Sequence, residues 1–251
     1  GFGTRGPRVY NDRAGEVGRT LNVNNFNLKK LFRDEGVQVL HLSGLIAALS
    51  PETGAFCLEL ARAAKKNGTL ISFDLNYRAS FWKGREKDLK SIFTEIAGIS
   101  DILVGNEEDF QLCLGIMGPE EGGKELAGQI ESFKEMIKRV KEAFPGASVF
   151  ATTLRQVVSV SKHLWGALML ENNNWHVVEP REIDVLDRIG GGDGFVGGML
   201  YALLRGWEPE KWIRFGWASG AMATTSITDY ALPADEEQVW SIWKGNARIK
   251  R

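Results

Sequence analysis

Val37-Gln38-Val39-Leu40-His41-Leu42, Ser50-Pro51-Glu52 and Leu70-Ile71-Ser72-Phe73-Asp74 fall within residues 37–74, and their order decides the fold class. The first run is short and apolar and stops at Ser43-Gly44, as a strand entering a loop does. Ser50 offers an N-cap, Pro51 suits the first helical position, and Glu52 places an acid in the first turn. Phe56, Leu60, Ala63 and Ala64 then recur at helical spacing, and Gly68 ends that helix before the third run. Strand, helix and strand follow one another, the βαβ order of a parallel sheet.

The alternation continues outward from this unit. A helical pattern over 87–97 precedes a strand at Ile102-Leu103-Val104, and a further helical stretch begins near Glu107. A longer helix is expected over 124–143, followed by a strand at Ser148-Val149-Phe150-Ala151-Thr152. Gly166-Ala167-Leu168-Met169-Leu170 and Trp175-His176-Val177-Val178 flank the turn signal Glu171-Asn172-Asn173-Asn174, which predicts a hairpin at one sheet edge. Helices are expected over 192–205, 209–225 and 235–243. The predicted fold is α/β, a mainly parallel sheet with helices on both faces in three layers (α/β/α). Ligands of such sheets bind beyond the carboxyl ends of the strands. Asp74, Asn76, Arg78, Asn106, Thr153 and Arg155 all follow expected strands, which gathers them on one rim.

Composition removes several functional classes. The chain has 251 residues, with 31 basic and 32 acidic side chains for a net charge of -1, so the broad attraction of a nonspecific nucleic-acid binder is lacking. No stretch approaches bilayer length, and the opening Gly1-Phe2-Gly3-Thr4-Arg5-Gly6-Pro7 has no apolar signal core, so no membrane partner and a cytoplasmic location are expected. Cys57 and Cys113 read as buried thiols on apolar helices. His41, His163 and His176 are too scattered to suggest a metal site.

Three glycines, Gly190, Gly191 and Gly192, stand before Asp193 and an apolar helical pattern of Phe195, Val196, Met199, Leu200, Leu203 and Leu204. Glycine lets backbone N–H groups approach a ligand, and the helix start adds donors and the positive end of its dipole. The combination favours an anion, although the run alone also fits a flexible turn with Asp193 as an N-cap. The P-loop pattern is absent, and the run comes too late in the chain for the dinucleotide fingerprint of a Rossmann dehydrogenase.

The segment Asp187-Arg188-Ile189-Gly190-Gly191-Gly192-Asp193-Gly194-Phe195 resembles the signature of the ribokinase-like (PfkB) carbohydrate kinases, Asp-Thr-x-Gly-Ala-Gly-Asp-[Ala/Ser]-Phe. Its Asp-Arg opening is most similar to the 2-keto-3-deoxygluconate kinases. Tyr10-Asn11-Asp12-Arg13-Ala14, Phe73-Asp74-Leu75-Asn76-Tyr77-Arg78, Gly105-Asn106-Glu107-Glu108-Asp109 and Thr152-Thr153-Leu154-Arg155 resemble further family segments in the same order.

The resemblance implies an ATP-dependent, Mg2+-requiring phosphoryl transfer to a small sugar acid. In it Asp193 acts as base, and Gly190, Gly191 and Gly192 form the anion hole. Arg78 and Arg13 would reach the acceptor carboxylate, which a guanidinium suits through paired donors in one plane, and Tyr10 would line the same pocket. Asn106 with Glu108 or Asp109 would help place magnesium and the phosphates; the segment also fits an Asn-capped helix with acids in its first turn. Thr153 and Arg155 would line the nucleotide site, with Ser219 and Ala223 beside adenine, although small residues four apart on a helix also suit close packing. Asp187 and Ile189 occupy positions associated with a monovalent cation in some relatives.

A neutral-sugar kinase such as a fructokinase and a noncatalytic nucleotide- or sugar-binding homologue are the alternative expectations. Gly194, where the family commonly has Ala or Ser, favours the latter. The resemblance spans one kinase domain over 1–251 but lacks the family's first strands and lid, so roughly 80 to 100 further N-terminal residues are expected. Dimerisation through that lid is common in the family, and a homo-oligomer is accordingly an expectation.

Overall fold

The computed structural model describes residues 3–6, 10, 12–119, 126–228 and 230–245. The chain forms two compact units. The parallel unit comprises Val9–Glu121 and Ser132–Ala151, and the hairpin unit comprises Gly1–Arg8, Gly122–Glu131 and Thr152–Arg251.

In the parallel unit β1 (Val39–Ser43) pairs with β2 (Leu70–Asp74), β2 with β3 (Ile102–Val104), and β3 with the first residues of β4 (Val149–Ser159), all parallel. Ile71, Ser72, Phe73 and Asp74 of β2 are all buried, as are all three residues of β3. Successive strand residues face opposite ways, so both faces of these strands are covered. The helices of this unit are α1 (Gly44–Leu49), α2 (Pro51–Lys66), α3 (Ala79–Trp82), α4 (Glu86–Ile99), α5 (Glu107–Leu114) and, from Ser132 on, α6 (Ile130–Ala143).

Ser50 caps α2 as its sequence suggests. Its hydroxyl accepts from the Thr53 N–H at 3.2 Å, the Thr53 hydroxyl accepts from the Ser50 N–H at 3.0 Å, and Pro51 opens the helix. The expected loop at Ser43-Gly44 is instead the start of α1, capped by the Ser43 hydroxyl. A side chain on Gly44 would stand 2.0 Å from the Leu75 carbonyl, so this helix start requires the close approach that glycine allows. The helix expected over 124–143 begins at Ile130, after a 3-10 turn at Leu126–Gln129; residues 124 and 125 lie outside the described set.

In the hairpin unit β4 runs on to Ser159, β5 (Lys162–Glu171) follows it, and β5 pairs antiparallel with β6 (Asn174–Asp184). The β5–β6 turn is the predicted one, with Asn172 at φ 52, a conformation asparagine tolerates. Three helices complete the unit, α7 (Gly191–Leu204), α8 (Pro209–Ala223) and α9 (Glu236–Trp243). No helix among the described residues is long and apolar enough to cross a membrane.

Candidate active site

The glycine run forms the entry to α7. Gly190 is the N-cap with φ 84 in the left-handed region, and the first bond of the helix is Gly194 N–H to the Gly190 carbonyl at 2.8 Å. The N–H groups of Gly191, Gly192 and Asp193 precede that bond, and no side chain caps them. Asp193 is therefore the third helical residue rather than the N-cap, and it is exposed, as is Gly192, around whose α-carbon there is open space. This end of α7 can hold an anion with backbone donors beside an accessible carboxylate.

Packing beneath the run fixes it. The Leu186 and Asp187 N–H groups both donate to the Thr224 carbonyl, at 2.8 and 3.2 Å, and the Asp187 carboxylate closes a turn by accepting from the Ile189 N–H at 3.0 Å. A side chain on Gly194 would lie 3.0 Å from the Ser219 carbonyl and 3.1 Å from Ala223 Cβ; on Gly198 it would lie 2.6 Å from Ser219 Cβ. Helices α7 and α8 thus meet along a glycine seam, in which Ser219 and Ala223 are the α8 residues that approach α7. Glycine at position 194 is accounted for by the same seam. Trp217 Nε1 donates to the Trp165 carbonyl at 2.7 Å, which attaches α8 to β5.

Thr153 and Arg155 differ from expectation in one respect. They lie inside β4 rather than after it, because the strand continues to Ser159 beyond the end of its parallel pairing at Ala151. Thr153 is half-buried and Arg155 exposed, on one face of the strand. His163 on β5 is buried, and burial, reinforced by the charges of Arg155 and Arg188, pushes its imidazole down to about 4.

In the parallel unit Tyr10 is 81% exposed. The Arg13 guanidinium donates to both carboxylate oxygens of Glu16, at 3.0 and 2.9 Å. Arg78, exposed at the start of α3, donates to the Tyr77 carbonyl at 2.6 Å. Asn106 caps α5: its side-chain oxygen accepts from the Asp109 N–H at 2.8 Å, and Asp109 returns the bond by accepting from the Asn106 N–H at 2.8 Å. The other Asp109 oxygen accepts from the Tyr77 N–H at 2.8 Å. Asp109 is buried and Glu108 half-buried. Burial, and then the charge of Glu108, raises the Tyr77 phenol above its ordinary range. Burial also raises the Cys113 thiol, with Asp109, Asp74 and Glu108 adding to the effect.

Asn76 was expected on this rim, but its bond to Ser43, which supports it there, was not. Asn76 has φ 43 and donates through Nδ2 to the Ser43 hydroxyl at 3.1 Å. An asparagine two residues after a strand is the available signal, because asparagine tolerates this backbone region.

Comparison with known proteins matches residues 17–235 to the pfkB family carbohydrate kinase model. A 5-dehydro-2-deoxygluconokinase of Clostridium perfringens is 28% identical over 193 residues, 76% of this chain and 51% of the relative. A 2-dehydro-3-deoxygalactonokinase of Haloferax volcanii is 28% identical over 220 residues, 86% of this chain and 61% of the relative. The crystal structure of 2-dehydro-3-deoxygluconokinase from Thermotoga maritima superposes with a TM-score of 0.85 at 25% identity, covering 98% of this chain and 70% of that one. The chain thus spans roughly half to three fifths of the length of these two curated relatives. The fold is ribokinase-like, and the chain belongs to the pfkB family of carbohydrate kinases.

Proposed function

We propose that this chain is the greater part of one kinase domain that transfers a phosphoryl group from ATP to a hydroxyl of a small sugar acid, with 2-keto-3-deoxygluconate as the preferred acceptor. The observation that carries this reading is the exposed Asp193 carboxylate in the first turn of a helix whose leading N–H groups have no side-chain cap. ATP with Mg2+ supplies the transferable phosphoryl group. Asp193 takes the proton of the acceptor hydroxyl as its oxygen bonds to the γ-phosphorus and the bond from that phosphorus to the β-phosphate oxygen breaks, leaving ADP. The N–H groups behind Gly190 stabilise charge on the moving phosphoryl group, and the glycines keep side chains away from it.

Asn106 and Glu108 are assigned to the metal-phosphate side, and Thr153 and Arg155 to the nucleotide. Arg78 is assigned to the acceptor carboxylate, in keeping with the sugar-acid kinases of C. perfringens, H. volcanii and T. maritima that the chain resembles. A neutral-sugar kinase is the second reading, favoured by the Arg13–Glu16 pair, which occupies one of the two arginines available for a carboxylate.

ADP release measured across a panel of sugar acids and neutral sugars tests the proposal. Turnover of acids above neutral sugars, lost selectively in Arg78→Ala, supports the acid reading. Turnover of neutral sugars alone overturns the acceptor assignment, and no turnover of any sugar overturns the kinase assignment.

A further inference from the structure

The carboxylate of Asp109 is placed where it joins two loops. One oxygen accepts from the Tyr77 N–H and the other from the Asn106 N–H, each at 2.8 Å, and the residue is only 6% exposed. Tyr77 directly precedes Arg78 in the loop that leaves β2, and Asn106 opens α5 in the loop that leaves β3. The same two loops meet again nearby. The Leu75 N–H donates to the Val104 carbonyl at 2.9 Å, and a side chain on Gly105 would lie 3.1 Å from both Leu75 Cδ1 and Asp109 Cβ. From the far side, Asn76 in its left-handed conformation holds the Ser43 hydroxyl. The turn carrying Arg78 is thus clamped at Leu75, Asn76 and Tyr77, and the Asp109 side chain bonds both it and the start of α5.

We infer that Asp109 is a positioning residue: it sets the Tyr77-Arg78 backbone, and through it the sugar-acid guanidinium, relative to Asn106, rather than facing the magnesium ion. The inference rests on the acceptor role proposed above for Arg78. Two backbone N–H groups directed at one buried carboxylate fix its orientation through charge-assisted bonds. A carboxylate committed in this way is a poor carrier of a water-shelled cation, because reaching outward would take the acceptor from two half-buried backbone donors. Loosening the tie lets Arg78 drift, and misplacement of a binding group by about 1 Å is enough to cost on the order of 100-fold in rate.

Amide hydrogen exchange and calorimetric binding on this chain, comparing wild type with Asp109→Asn and Asp109→Glu, test the assignment. Glutamate can still cap the Asn106 N–H but carries its carboxylate one methylene further from Asp109's position. In both variants Tyr77 is expected to exchange at least about tenfold faster, with Leu103 of β3 retaining wild-type protection as the check on folding. The dissociation constant for 2-keto-3-deoxygluconate is expected to rise about tenfold, and the Mg2+ dependence of binding a nonhydrolysable ATP analogue to stay unchanged. Unchanged Tyr77 exchange overturns the inference, as does a tenfold shift in Mg2+ dependence with sugar binding unmoved. If the wild type binds no sugar acid, the acceptor assignment fails, and Tyr77 exchange alone then decides whether Asp109 makes the tie.

Discussion

Trp217 of α8 and Trp165 of β5 bond reciprocally. The Trp217 indole N–H donates to the Trp165 carbonyl at 2.7 Å, and the Trp165 indole N–H reaches the Trp217 carbonyl at 3.4 Å. Both side chains are buried, and the Trp165 ring also lies over Gly220 and Gly191. The pair therefore links the sheet to the first residues of the glycine run. Trp217→Phe leaves the Trp165 carbonyl without its short bond and is expected to cost about 1–3 kcal/mol, measured by chemical denaturation.

The glycines around α7 divide into two kinds, and substitution separates them. Gly198→Ala places a methyl group 2.6 Å from Ser219 Cβ and 3.0 Å from the Phe215 carbonyl, so stability should fall by about 1–3 kcal/mol through overpacking. Gly192→Ala enters open space on a helix and should leave the melting temperature unchanged or raise it slightly. Its methyl group nevertheless stands beside the donors assigned to the transferring phosphate. An activity loss of about tenfold or more without loss of stability is expected, read from kcat and thermal melts of one preparation.

His163 gives the fold an acid-side sensitivity. Its pKa is about 4 in the folded chain against an ordinary 6.5, so the unfolded chain binds more protons between those values. The stabilisation is complete above pH 6.5, declines as the pH falls, and is gone below pH 4. A loss on the order of 2–3 kcal/mol across that window is expected from urea titrations at successive pH values. His163→Leu should flatten that part of the profile.

Both cysteines are buried, and burial raises both thiols, Cys57 to about 12 and Cys113 further with the help of neighbouring carboxylates. Neither is expected to react with a thiol reagent in the native chain at neutral pH, and both should react at full stoichiometry in denaturant.

The legible parts of the fold were those decided by neighbouring residues. Leu70–Asp74 and Ile102–Val104 are apolar runs between turn signals and appear at their expected boundaries. The Ser50-Pro51 cap and the Asn-rich hairpin turn are likewise local. The second half of β4 was not legible, because Thr153–Ser159 mixes polar and apolar residues and Val160-Ser161 carries no Gly, Asn or Pro to mark a hairpin. Helix α1 was hidden because the need for glycine at its start comes from the close approach of the Leu75 carbonyl, distant in sequence from Gly44. The site shows the same division. The cap between Asn106 and Asp109 is a three-residue pattern, whereas the bond from Tyr77 to Asp109 spans two strands' connections and has no sequence signal. Arg13, expected at the substrate, pairs with Glu16 three residues on, a spacing the sequence also shows.

The central claim is that Asp193 is the base of a phosphoryl transfer. The most direct measurement is steady-state ADP release with saturating ATP, Mg2+ and 2-keto-3-deoxygluconate, comparing wild type with Asp193→Asn. The amide keeps the size of the exposed side chain but cannot take the hydroxyl proton. The expected result is a fall in kcat of about 100-fold or more with an unchanged melting temperature. Equal turnover by the two proteins would contradict the assignment.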